Sequence, residues 1–188
     1  MNPVLAEKKA FVKQNGLLEP VDAITLHQKD YLWLTQSSLE ADFPLTIIPG
    51  NVVSCGPIFL SSAPASEEDP ELASWLDKAP TVLINLGSVF NYDEGSATEM
   101  ARAIKRLLDN SAVHVLWKFN KRREFSDDFL SGLSEEIANG RLRLEKWLNV
   151  DPAALLETGN VILSVHHGGA SCYHEAVGAA PLLSENGR

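Results

Sequence analysis

Two cysteines among 188 residues, Cys55 and Cys172, are too few and too far apart for a disulfide framework or a zinc site. Reduced thiols in a cytoplasmic setting are the expectation. No apolar run approaches the length that spans a bilayer, and the polar N-terminus lacks a signal-peptide pattern. Basic runs are scarce as well: Lys121-Arg122-Arg123 reads as a surface loop against a formal net charge of -9, which argues against a nucleic-acid partner. No G-x-G-x-x-G follows a strand-like run, which argues against a nicotinamide dehydrogenase. No internal repeat or low-complexity tract appears. What remains, at 45% hydrophobic and 22% charged residues, is an ordinary globular composition for one domain, or for one domain with part of another.

The pattern changes along the chain. Pro3 sits where a helix starts, with Asn2 as its cap and Gly16 at its end. Segments 23–26 and 31–35 are rich in strand formers, and 52–60 reads as extended. Residues 61–70, SSAPASEEDP, have linker composition, and Asp69-Pro70 starts a helix reaching about Asp77. From Pro80 onward strands and helices alternate. The spacing predicts strands over 81–86, 113–119, 141–148 and 161–165. It predicts helices over 97–108, 126–139, from Asp151-Pro152, and over 171–177. Such alternation implies an α/β, Rossmann-like, doubly wound parallel sheet. Ligands of such sheets sit beyond the carboxyl ends of the strands, so the segments after Leu86, Trp147 and Val165 should share one edge.

The stretch Ser164–Pro181, SVHHGGASCYHEAVGAAP, concentrates the chemistry. An apolar run leads through two histidines and Gly168-Gly169 into a helical segment carrying Glu175. A helix N-terminus supplies unpaired N–H groups and a positive dipole end, and the glycines let an anion approach the backbone. His167 is placed to donate to a phosphate, and Glu175, about two turns on, to accept from a sugar hydroxyl. Phosphate followed by ribose is a nucleotide reading.

Several ordered motifs then resemble the UDP-dependent glycosyltransferases, most closely their fungal and sterol-type members. Trp147, Leu155, His167, Gly169 and Glu175, with Pro181 near the end, match a donor signature running from a tryptophan to H-x-G-x-N-S-x-x-E. INLGSVF (84–90), VHVLWKF (113–119) and the segment 34–59 resemble further parts of that family. The resemblance implies a GT-B fold of two facing Rossmann-like domains. It places residues 1–60 as a remnant of the acceptor domain, 61–79 as linker and short helix, and 80–188 as the UDP-sugar-binding domain, incomplete at both ends. It also implies the site. Trp147 stacks on the uracil, and backbone at Leu148 bonds its edge. Glu175 takes the ribose hydroxyls. His167 with Gly168, Gly169, Ser171 and Cys172 holds the diphosphate, and Ser88 closes over it. The donor substrate is a UDP-sugar, with no separate cofactor, and the acceptor a small lipophilic hydroxyl compound. The family's general base belongs to the acceptor domain, so no catalytic residue is assigned. The sequence departs from the family at Asn149-Val150, at Ser171-Cys172 and at GAAP, and it stops before the acidic-glutamine pair that grips the sugar. These departures point to a truncated or partial chain.

Each of these residues also has a plainer role. Trp147 alone would read as a core residue, Ser88 as a turn residue and Cys172 as a buried inert thiol. His166 reads as structural and His174 as a surface helix residue. Adjacent histidines on extended backbone point to opposite faces, so the cluster of His166, His167, His174 and Glu175 does not read as a metal site. The competing functional reading is a nucleotide-binding subunit without catalysis.

Overall fold

A computed structural model of the chain describes residues 3–17, 31–36, 44–56, 58 and 63–185. The strand expected at 23–26 lies outside the described residues. The chain divides into two compact units at Gly56/Pro57. The first holds helix α1 (Pro3–Gln14) and a two-stranded parallel sheet of β1 (Trp33–Thr35) and β2 (Val52–Ser54). Of the extended segment expected over 52–60, Val52–Ser54 form a strand, and residues 57, 59 and 60 lie outside the described residues.

The second unit carries helices α2 (Ala65–Glu68) and α3 (Pro70–Leu76), strand β3 (Thr81–Ile84), helix α4 (Glu94–Asn110) and strand β4 (His114–Lys118). A 3-10 helix (Asp127–Leu133), helix α5 (Ser134–Ala138), strand β5 (Leu142–Glu145), helix α6 (Pro152–Glu157), strand β6 (Val161–Val165) and helix α7 (Ala170–Glu185) follow. Three helices start on an aspartate whose carboxylate accepts a first-turn amide: Asp69 from Leu72 at 2.9 Å, Asp93 from Ser96 at 2.8 Å and Asp151 from Ala153 at 2.9 Å. Each satisfies a donor that the helix itself cannot. The helix expected as one piece over 126–139 is split. Paired aspartates, serines and Gly132 favour local hydrogen bonds over α-helix propagation, and the first part tightens into the 3-10 form.

The four strands are parallel in the order β5-β4-β3-β6. Side chains alternate across this sheet as strand geometry demands. On one face Leu83, Leu116 and Val161 pack with Leu72, Trp75 and Leu76 of α3 and Ala154–Leu156 of α6. On the other, Val82, Ile84, Val115 and Trp117 pack with Ala97, Ala101, Ile104 and Leu108 of α4. The result is three layers with a core on both sides of the sheet. The helix expected from Asp69-Pro70, after the linker-like stretch 61–70, is α3, and it packs into the first of these cores.

Strand order carries the functional consequence. After β3 the chain moves one way to β4 and β5, and after β5 it returns across the sheet to β6 on the far side of β3. The reversal leaves a crevice at the carboxyl ends of β3 and β6. The loop after β3 is held at its far end by Tyr92, which is buried, stacks edge-on against Trp117 and accepts a hydrogen bond from the Trp117 indole N–H at 3.0 Å. Burial pushes the Tyr92 phenol above its ordinary value. In Tyr92→Phe the Trp117 N–H loses its partner inside the core. A loss of about 1–3 kcal/mol is expected, read as a lower urea midpoint; an unchanged midpoint would show that the bond does not hold the loop.

Candidate functional site

The crevice contains a cavity of about 630 Å³, lined from the β3 side by Leu86–Phe90 and from the β6 side by His167, Gly169, Ala170, Ser171 and Cys172. The two walls are brought together by the parallel register that pairs Ile84 with Val165, continued by the Asn85 amide donating to the Val165 carbonyl at 2.9 Å.

The turn after β3 depends on Gly87. Its φ is +89°, a backbone conformation that L side chains rarely adopt, and the Asn85 side chain fixes it by accepting from the Gly87 amide at 3.1 Å. The His167 ring lies against this glycine, so that a Cβ on Gly87 would come within 2.7 Å of His167 Cε1. Gly169, two residues on in the ring's own loop, also lies against it, and a Cβ there would come within 2.4 Å of His167 Nε2. The imidazole is thus wedged between the two loops while remaining exposed toward the cavity. Gly169 begins α7: its carbonyl accepts from the Tyr173 amide at 2.9 Å. The first-turn amides that follow have no acceptor within the helix. His166 is not part of the wall; its Nδ1 accepts from the Gly168 amide at 3.2 Å.

At the neighbouring strand ends, Trp147 follows β5 and is 58% exposed. Lys118, the last residue of β4, holds its Nζ 4.3 Å from the centroid of the Trp147 ring and donates to the Gly87 carbonyl at 3.0 Å. Leu148 turns its side chain into the core beside Leu155 and Leu156. In α7, Cys172 is half-buried. Burial, and then the charge of Glu175, push its thiol above the ordinary range, so it stays protonated. Burial, and then the charge of Asp151, also raise the Glu175 carboxyl.

The arrangement has the parts of a site for a phosphorylated ligand: helix amides, a histidine at the turn, a small-residue wall and, two strands from β3, an exposed indole. Comparison with known proteins gives the family. Residues 2–182 match the model of the UDP-glucoronosyl and UDP-glucosyl transferase family. The chain belongs to this family.

Glycosyltransferase sdnJ from Sordaria araneosa is 39% identical over 166 residues. That match covers 86% of this chain and 32% of the relative, so the chain spans about a third of the length of the curated relative it matches. Among solved structures, that of Glycyrrhiza uralensis UGT73P12 complexed with glycyrrhetinic acid 3-O-monoglucuronide aligns with a TM-score of 0.49 at 24% identity. The alignment covers 58% of this chain and 23% of that one.

Within this family member, the residues singled out by sequence fall into two groups. Ser88, His167, Gly169, Ser171 and Cys172 line one cavity, and Gly168 lies in the turn between two of them. Trp147, Leu148 and Glu175 lie off that wall. His174 overturns its reading as a surface residue: it is 7% exposed and, among the described residues, its Nδ1 has no hydrogen-bond partner. The α7 sequence is rich in small residues, so its buried face carries little hydrophobic signal. Lys118, Val89 and Phe90 were not anticipated. The signal for Lys118 was available, because a lysine closing the apolar run VHVLWKF interrupts a strand that is otherwise buried.

The two glycines make separable predictions. Gly87→Ala forces a side chain into the left-handed region and should lower stability by about 1–2 kcal/mol. Gly169→Ala has ordinary backbone and should leave the urea midpoint nearly unchanged while moving the ring, seen as shifted His167 imidazole proton resonances. Resonances that stay in place in Gly169→Ala would show that the ring is not wedged.

Proposed function

We propose that this chain is the donor-binding part of a UDP-sugar-dependent glycosyltransferase of GT-B architecture, in which a hexose passes to a hydroxyl of a small lipophilic acceptor with inversion. The observation that carries the reading is the cavity at the strand-order reversal, where His167 is wedged between Gly87 and Gly169 at the start of α7. Family membership supports the UDP-sugar as donor.

In this reading the diphosphate lies against the amides at the start of α7, with the His167 ring donating to one of its oxygens. The Ser171 and Ser88 hydroxyls approach from opposite walls. Cys172 adds a backbone amide rather than a strong side-chain donor. Trp147 offers its indole face to the uracil, the Leu148 backbone meets the base edge, and Glu175 accepts from the ribose hydroxyls. During transfer these groups stabilise the charge that develops on the departing UDP. Transfer also needs a base within hydrogen-bond reach of the acceptor hydroxyl. Of the described histidines only His167 lines the cavity, and the reading commits it to phosphate. His114 packs against Trp75 instead, and His27 lies outside the described residues. The chain is proposed to bind donor, with no base for transfer assigned among the described histidines.

Calorimetry tests the site. UDP should bind about tenfold or more tightly than uridine, since the added anion meets helix amides and the histidine. His167→Ala should narrow that ratio. Glu175→Ala should weaken UDP and uridine alike by about 1.5–3 kcal/mol. Equal affinity for UDP and uridine in the unaltered chain would overturn the phosphate assignment, and an unaffected Glu175→Ala would overturn the ribose assignment.

The second experiment follows UDP release from UDP-glucose with a panel of phenolic and sterol acceptors. No acceptor-dependent turnover is expected from this chain alone. Turnover above the no-enzyme control would place a catalytic base within these residues.

A further inference from the structure

We propose that Lys118 is a positioning residue of the nucleotide site: its ammonium ties the Trp147 indole to the Gly87 turn, so that the base platform and the phosphate loop are held in register by one cation. The inference rests on the reading of the cavity as a UDP site and adds to it a residue that neither the motif nor the cavity wall includes.

Three observations converge on this lysine. It closes β4, the strand that lies between β3 and β5. The segment after β3 carries Gly87, and the segment after β5 carries Trp147, so Lys118 stands between the two walls that must be coordinated. Its Nζ reaches both, 3.0 Å from the Gly87 carbonyl and 4.3 Å from the Trp147 ring centroid. It is also only 7% exposed, and among the described residues no carboxylate lies within ion-pair distance of it.

A buried ammonium without a counter-charge is costly to a fold. Burial accordingly depresses its ordinary basicity, opposed by the nearby Cys172. The partners it has are a carbonyl dipole and the negative face of an indole, and both attract a cation while leaving its charge unneutralised. Two consequences follow for a nucleotide. The indole is fixed in plane by the cation, and at 58% exposure it still presents ring surface on which a base can stack. The Gly87 carbonyl is drawn toward the lysine, which sets the turn against which His167 is wedged. An uncharged residue at 118 would release the ring and the turn together.

Lys118 and Trp147 should therefore depend on one another for binding, and a double-mutant cycle measures that dependence. The full 188-residue chain and its variants Lys118→Met, Trp147→Leu and the double substitution are titrated with UDP and with uridine. Lys118→Arg serves as the conservative variant. Thermal melts confirm that each variant folds. Lys118→Met should weaken UDP and uridine by about tenfold in the presence of Trp147. In the Trp147→Leu background it should change uridine affinity less than twofold. Lys118→Arg, which keeps a cation able to stack on the indole and donate to a carbonyl, should recover most of the loss.

Equal losses in both backgrounds would overturn the proposal, because that is how a general structural defect behaves. So would an unaltered affinity in Lys118→Met. A Lys118→Met chain that fails to fold shifts the decision to Lys118→Arg, where loss of nucleotide binding in a folded chain counts against the proposal and retention supports it. If the unaltered chain binds neither UDP nor uridine, the donor-site reading itself fails and this inference falls with it. That outcome is distinct from a chain that binds nucleotide without regard to residue 118.

Discussion

Parallel pairing of β3 with neighbours on both sides is the constraint on which the second unit depends. Each of the connections β3-to-β4 and β5-to-β6 must cross over the sheet with a helix, because parallel neighbours cannot be joined by a tight turn. Since β4 and β6 flank β3 on opposite sides, their crossovers diverge, and the chain segments leaving β3 and β6 are left facing one another with no helix between them. The cavity is a consequence of strand order before it is a consequence of any side chain. Register then decides which residues meet there. Ile84 opposite Val165 puts Gly87 and His167 at the same height, and two glycines make room for one imidazole.

Much of this was legible in the sequence, for physical reasons that differ by element. Central parallel strands are apolar on both faces, so TVLI and HVLWK stood out as short runs. VILSV stood out in the same way and reads as a buried strand, but β6 lies at the edge of the sheet and leaves Ile162 and Leu163 exposed. The Asp-Pro pairs at 69–70 and 151–152 announced helix starts because both residues act locally, one as a cap and one by its fixed φ. The cluster around His167 was visible because glycines and histidines are conspicuous beside an apolar run. Features set by tertiary packing were less visible. Segment 61–70 has the composition of a linker, yet Ala65 is buried. The 126–139 segment has an adequate helical pattern, but Gly132 and its polar neighbours let packing of Phe129 and Leu133 choose a tighter helix. His174 was misassigned because α7 is composed largely of small residues, and no periodicity marks which of its faces is covered. Lys118 escaped notice for a related reason: a lysine at the end of a strand looks like the boundary of the element, and only the fold shows that it stops short of solvent.

On the proposed reading, a chain of net charge -9 must hold a dianionic diphosphate, and the electrostatics of the cavity decide how it could. The ten lining residues include no aspartate and no glutamate. Of the acidic groups nearby, Glu175 lies off the wall, and its burial favours the neutral form more than in an exposed carboxylate. The Cys172 thiol, at the start of a helix where a thiolate would be encouraged, is kept protonated by burial and by Glu175, which removes a second source of repulsion. In the proposed reading the anion meets the His167 ring, two serine hydroxyls and, above all, backbone: amides at the start of α7 and the turn at Gly87, whose partial charges are fixed in direction and need no proton to be gained or lost. Lys118, which reaches the Gly87 turn, is shielded from solvent and turned toward a carbonyl and an indole. In the proposed reading, attraction of the phosphates is thus a local property of oriented dipoles and a few donors. The acidic charge of the remaining surface is screened over distances of about 8–10 Å at moderate salt and leaves the site's preference for an anion in place.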